Sequence, residues 1–229
     1  MRYLAVLALA LGGCGLISSD VTNFDLTLPD KTFTVDTAQW MLNGVDTFTS
    51  VSCASSSSVC ADGAKQACKM NQCAATCDAQ TKTCDLQVLV GLYQMVDLLN
   101  EKPELKSIND QPLVGVHIDK IEYQVTENTL NVDTPELGLY VAPSTVMAVG
   151  PEAVQIGTIP PIPHGTTPGV MAITLDADAQ AALAKYMGDY KNPFNILVGS
   201  TIEVKMNDPV PNGRLTAKVK VTAHAQLGG

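Results

Sequence analysis

Apolar and polar residues alternate with a period of two over much of this chain. Phe24, Leu26 and Leu28 alternate with polar neighbours, Pro29-Asp30-Lys31 reads as a turn, and Phe33 and Val35 resume the alternation. Leu86, Val88, Val90 and Leu92 share one parity. Over 114–125 the parity switches, from Val114, Val116 and Ile118 to Ile121, Tyr123 and Val125. Such a switch within one strand predicts a β-bulge near Asp119-Lys120. Leu137, Leu139 and Val141 form another strand closed by Pro143, and Met171, Ile173 and Leu175 form the next. Two long strands follow, one carrying Ile196, Val198, Ile202, Val204 and Met206, the other Leu215, Ala217, Val219, Val221, Ala223, Ala225 and Leu227. Asn212-Gly213, in the 208–213 connection, reads as their hairpin turn. Residues 102–109 suit a short helical turn or loop.

One helix stands out against the strands. Asp176 can cap it, Asp178 places a carboxylate in its first turn, and Ala179, Leu183, Tyr186, Met187 and Tyr190 fall on one face before Pro193. The expected fold is mainly β: an antiparallel β-sandwich with one connecting helix. Lone Trp40, followed by Met41-Leu42, reads as a core plug.

The N-terminus carries a different signal. Arg2 precedes an apolar stretch over 3–11, too short to span a bilayer, and then comes Leu11-Gly12-Gly13-Cys14. This resembles the lipobox of bacterial lipoproteins, with small residues beside the scissile bond and a thiol ready to be acylated. The resemblance implies a signal peptide over 1–13, a diacylglyceryl anchor on Cys14 and a tether over 14–21. Gly15 stands where the general sorting rule places Asp for inner-membrane retention, which implies an outer-membrane address. The expected partners are therefore the lipid bilayer, through acylated Cys14, and an unknown envelope protein or polymer.

Setting Cys14 aside leaves six cysteines, all within 53–84: Cys53, Cys60, Cys68, Cys73, Cys77 and Cys84, spaced C-x6-C-x7-C-x4-C-x3-C-x6-C. Between the outer two, Val59 and Met70 are the only large apolar residues. Such a segment cannot offset its ordering entropy by burial alone, whereas three disulfides in an oxidising envelope can do so. Fifteen pairings are open. The rival, a thiolate metal site, lacks a C-x2-C pair and a nearby histidine. The expected organisation is a β-sandwich over 22–229, interrupted by a cysteine-rich insertion at 53–84.

Charge narrows the function classes. Fourteen basic and 23 acidic residues give a net charge of −9, which argues against nucleic acid. No apolar run reaches the ~18 residues of a spanning helix. No nucleophile elbow, zinc-protease motif or Gly-rich phosphate loop is present. The histidines, His117, His164 and His224, are far apart in sequence, so neither a metal nor a catalytic triad is expected from them, and no cofactor is implied. The expected functional surface is the loop 159–169 together with the cysteine-rich module, with Ile159, Pro161, His164 and Thr167 as the loop's candidate binding residues.

From Ile118 to Ala225 the chain is similar to the late-embryogenesis-abundant type of immunoglobulin-like domain, the WHy domain. The shared elements are the strand and turn IEYQVTENTLN, a Pro-rich loop, the strand and helix MAITLDADAQAALAKYM, and a final strand pair with a Pro-Asn-Gly connection. Glu127-Asn128-Thr129 stands where the family has Asn-Pro. The resemblance implies a binding or structural domain and carries over no site residue. The expected function is thus a lipid-anchored, non-enzymatic envelope protein that binds another envelope component. The alternatives are a purely structural envelope protein and an unrecognised carboxylate-dependent hydrolase.

Overall fold

A computed structural model of the chain describes residues 23–56, 58–68, 73–108 and 113–227. The expected signal peptide over 1–13, Cys14 and the expected tether lie outside the described residues, as do the side chains of Phe24, Val114 and Leu227.

Among the described residues, ten strands form two antiparallel sheets that pack face to face. The first holds β1 (Asn23–Asp25), β2 (Lys31–Asp36), β5 (Leu113–Asn128), β8 (Met171–Ile173) and β10 (Arg214–Leu227). Its centre is the long β5–β10 ladder, with β8 on the free edge of β5. The second holds β3 (Cys73–Cys77), β4 (Cys84–Val96), β9 (Phe194–Val204), β6 (Leu137–Pro143) and β7 (Val154–Ile159), in the spatial order β3-β4-β9-β6-β7. One continuous core lies between the sheets. Phe33, Ile121, Tyr123, Val219 and Val221 come from the first; Leu86, Val88, Leu139, Ile156 and Ile196 come from the second.

The alternation assigned the inward faces of the long strands' central residues correctly, including the switch in β5. Thr222 pairs with Lys120 and Ala223 with Ile118, so the register steps over Asp119 and leaves it as the bulged residue. Trp40 is buried at the end of a 3₁₀ turn, Thr37–Trp40, whose cap is the Asp36 carboxylate accepting from the Ala38 N–H.

Three expectations fail, each for a physical reason. Pro29-Asp30 does not reverse the chain. β1 and β2 run in the same direction along one edge of β10, with registers offset by one residue. The Leu26 and Leu28 N–H groups continue the ladder between them, bonding to the Ala223 and Val221 carbonyls at 2.9 Å. Proline has no N–H to donate, so it interrupts the ladder without turning the strand.

Nor is 208–213 a hairpin. β9 and β10 belong to different sheets, so this connection crosses the sandwich. Both strands present an apolar face to the core from opposite sides, and alternation alone does not say which sheet owns a face. The crossing is held by Asn131, whose amide donates to the Val210 carbonyl at 3.0 Å and whose Oδ1 accepts the Asn212 N–H at 2.6 Å. Gly213 is required there: its φ is +114°, and a Cβ would lie 2.2 Å from the Thr129 carbonyl oxygen.

Finally, Met171 is 47% exposed although it shares parity with buried Ile173, because β8 is a three-residue edge strand that leaves its outer end in solvent. Met206 is likewise exposed, two residues beyond the end of β9.

Short helices close the ends of the sandwich. α1 (Val45–Thr49) and α2 (Ser58–Ala67) precede β3, and α3 (Leu98–Glu101) follows β4. α4 (Ala177–Gly188) packs on β5, β6 and β7, covering the open side between the sheets with Leu183 and Met187, both fully buried. Asp176 caps it by accepting from the Ala179 N–H at 2.7 Å. It stops at Gly188, five residues short of Pro193.

The six cysteines form three bridges, Cys53–Cys77, Cys60–Cys84 and Cys68–Cys73. They link α2, β3 and the start of β4, and the half-cystines themselves become core. Cys60 and Cys84 are fully buried and join the same apolar cluster as the sandwich, together with Ala64 and Ala67. Thus the described residues of this segment pack onto the second sheet, with β3 as its edge strand.

Two outcomes follow. Leu183→Ala removes a fully buried side chain and is expected to cost about 2–5 kcal/mol in denaturant unfolding; an unchanged midpoint would show that α4 is not docked. The paired change Cys60→Ala with Cys84→Ala is expected to cost about 2–4 kcal/mol, while peptide mapping without reduction still recovers the other two bridges.

Candidate functional site

Among the described residues, a concave surface lies on the outer face of the second sheet. Gly91 of β4, Gly199 of β9 and Gly138 of β6 are register partners, so three glycines lie in one row across three strands. Their missing side chains leave a floor that neighbours partly overlie. The Tyr140 ring lies over Gly138, where a Cβ would approach its hydroxyl to 2.4 Å. Val149 sits over Gly199 in the same way, and above Gly91 the space is open.

The loop between β6 and β7 supplies the wall. It folds back over the sheet because buried Asn195 donates from Nδ2 to the Ser144 and Val146 carbonyls, at 3.1 and 2.8 Å. That places Met147 and Val149 above β9. The groove so enclosed has a volume of ≈ 450 Å³ and is lined by Leu89, Tyr140, Met147, Val149, Ser200 and Thr201 among others. Leu89, Met95 and Met147 are 47%, 54% and 56% exposed, and Tyr93 and Val149 are also open to solvent. Apolar side chains grouped in this way on an otherwise acidic protein make a surface suited to an apolar or amphipathic ligand. Sequence reasoning missed this site. The available signal was three glycines within strands, positions where glycine weakens a strand unless something approaches closely.

The loop 159–169 is anchored differently from its expectation. Ile159 is a core residue, 2% exposed, and Ile162 is buried beside it. Pro161, His164 and Thr167 are exposed. Buried Asn128 fixes the loop by donating to the Pro163 and Thr166 carbonyls at 3.0 and 2.9 Å. The Ile162 N–H donates to Thr134 Oγ1 at 2.9 Å. Asp133 accepts from the His164 N–H and meets the His164 ring nitrogen, both at 2.8 Å, and these contacts hold its carboxyl below the usual range. His164 borders a shallow second cleft with Asp133, Glu203 and Asp208.

The histidines are not all separate. The β5–β10 register brings His117 and His224 together on the outer face of the first sheet, with ring centroids 5.0 Å apart, while His164 stands alone with Asp133. The sulfurs of Cys53, Cys60 and Cys84 lie within 4.8 Å of one another, yet all three are oxidised in disulfides and so offer no thiolate to a metal.

Among the carboxyls, Asp85 differs from the rest. It is buried at the start of β4; burial, then the negative charges of Asp78 and Glu203, push its pKa up. It does not line the groove or the His164 cleft.

Compared with known proteins, the chain matches no protein-family model and no curated protein sequence.

A carboxyl whose pKa is raised by folding destabilises the folded state when ionised. Above the folded pKa of Asp85 the penalty is complete; below the ordinary carboxylate pKa it vanishes. Asp85→Asn is therefore expected to raise the melting temperature at pH 7, with the gain shrinking as pH falls through the carboxylate range. Equal melting curves at both ends of that range would contradict the assignment.

Proposed function

We propose that this chain is a lipid-anchored, non-enzymatic protein of a bacterial cell envelope that captures another envelope component on the outer face of its second sheet. The observation that carries this reading is the glycine-floored apolar groove. Leaving Leu89, Tyr93, Met95 and Met147 in water forgoes roughly 25 cal/mol for each Å² that a partner would cover. Asn195 holds the wall of the groove in place, so little ordering cost remains for binding.

The lipobox at Leu11-Gly12-Gly13-Cys14 supplies the other half of the mechanism. An acylated Cys14 confines the domain to a layer a few nanometres deep and raises its effective concentration toward partners in that layer. Weak capture on a modest groove then suffices. A binding role also accords with the resemblance to WHy domains, and the address implied by Gly15 is the outer membrane.

Crosslinking and pull-down from intact envelopes tests the reading. The double variant Leu89→Lys with Met147→Glu alters two exposed side chains, so it is expected to fold and melt like the parent while losing most of the captured component. A version exported on a cleavable signal without Cys14 is expected to be soluble and to capture less at native abundance. If the groove variant captures normally and His164→Ala does not, the binding surface is the proline loop. If the version lacking Cys14 still sediments with the outer membrane, the anchor lies elsewhere.

A further inference from the structure

A second surface, on the outer face of the first sheet, is unrelated to the groove. His117 of β5 and His224 of β10 are direct cross-strand partners. Such partners carry their Cβ atoms about 4.5–5.5 Å apart on the same face, so two imidazoles there can meet above the sheet. Their rings are tilted by 43° with centroids 5.0 Å apart. The β-bulge adds a carboxylate beside them. Asp119 and the following Lys120 both face solvent, and Asp119 Oδ1 lies 3.0 Å from His224 Nδ1 and 3.9 Å from His117 Nε2. A carboxylate at Nδ1 selects the tautomer that holds its proton there and leaves the Nε2 lone pair outward, as carboxylates do behind metal-bound imidazoles.

The surroundings favour a cation. Lys120, the ammonium next in sequence, is turned to Glu122 at 2.9 Å. Asp25 of β1 lies opposite His224 on its other side, with Lys102 held 3.6 Å from its carboxylate. The chain as a whole carries a net charge of −9. The His117, His224 and Asp119 side chains are 63%, 45% and 38% exposed, so an ion can enter from solvent without any opening of the fold.

We propose that His117 and His224 chelate a divalent transition-metal ion, with Asp119 orienting His224 and supplying compensating charge, and solvent completing the coordination. Imidazole donors select copper, nickel and zinc ions over magnesium and calcium, and the affinity order places Cu²⁺ first. The site stands on exposed side chains of a completed ladder, so the fold does not depend on the metal, and exchange with the surrounding solution is open.

The third histidine provides an internal reference. The disulfide-intact protein is titrated with Cu²⁺, and the imidazole proton signals are followed by nuclear magnetic resonance. The His117 and His224 signals are expected to broaden together at less than one equivalent of metal, while the His164 signal persists. In calorimetric titration His117→Ala and His224→Ala are each expected to weaken binding on the order of 100-fold, and Asp119→Asn about tenfold. His164→Ala should bind like the parent, and Mg²⁺ should give no response. All these positions are exposed, and circular dichroism checks that the variants fold. Parallel broadening of all three histidines, or parental affinity in either single-histidine variant, would overturn the proposal.

Discussion

The antiparallel ladder between β5 and β10 is the constraint on which the other features of the first sheet depend. Its register puts Ile121, Tyr123 and Val125 on the core side opposite Val221, Val219 and Ala217. A one-residue slip of either strand would turn its apolar set away from the core, so burial locks the register. The free edge of β10 then templates both β1 and β2, and the free edge of β5 takes β8. α4 closes the side where β5 faces β6 and β7. The same register determines that His117 faces His224 and that the bulge falls at Asp119.

The cysteine segment addresses a different shortage. Between 53 and 84 there is little to bury, and the half-cystines supply what the missing aliphatic residues would have supplied. Cys60 and Cys84 do so twice over: their bridge limits the unfolded chain, and their buried sulfurs fill space beneath α2. Because Cys84 also opens β4, that bridge ties the segment to a 13-residue strand paired with the whole length of β9 in the second sheet.

Both surfaces singled out here arise from alignment across strands. A lone glycine in β4, β9 or β6 would be a local weakness; three in register, roofed by Tyr140 and Val149, become the floor of a groove. A lone exposed histidine would be unremarkable; two in register beside a bulged carboxylate become a set of donors. In each case neighbouring strands bring together residues about 60–110 positions apart in the chain, and the pleat sends them to one side.

Sequence by itself determined the fold class, the inward faces of the long strands, a bulge near Asp119-Lys120, the cap and buried face of α4, and the confinement of the six cysteines to mutual pairing. Those features follow from period, parity, capping chemistry and count, all of which are local. The choice of partner for each strand was decided only by the tertiary structure. Alternation states that Ile202, Val204, Leu215 and Ala217 are buried, but β9 and β10 could satisfy it equally as a hairpin or from opposite sheets. The pinning of 208–213 by Asn131 and the steric demand at Gly213 belong to the second arrangement. Pro29 likewise ended a ladder in either reading, and only β10, running past it on one side, made the chain continue straight. The same limit hid the glycine row and the histidine pair, because register between distant strands is set by packing the whole core at once, and no window along the chain contains it.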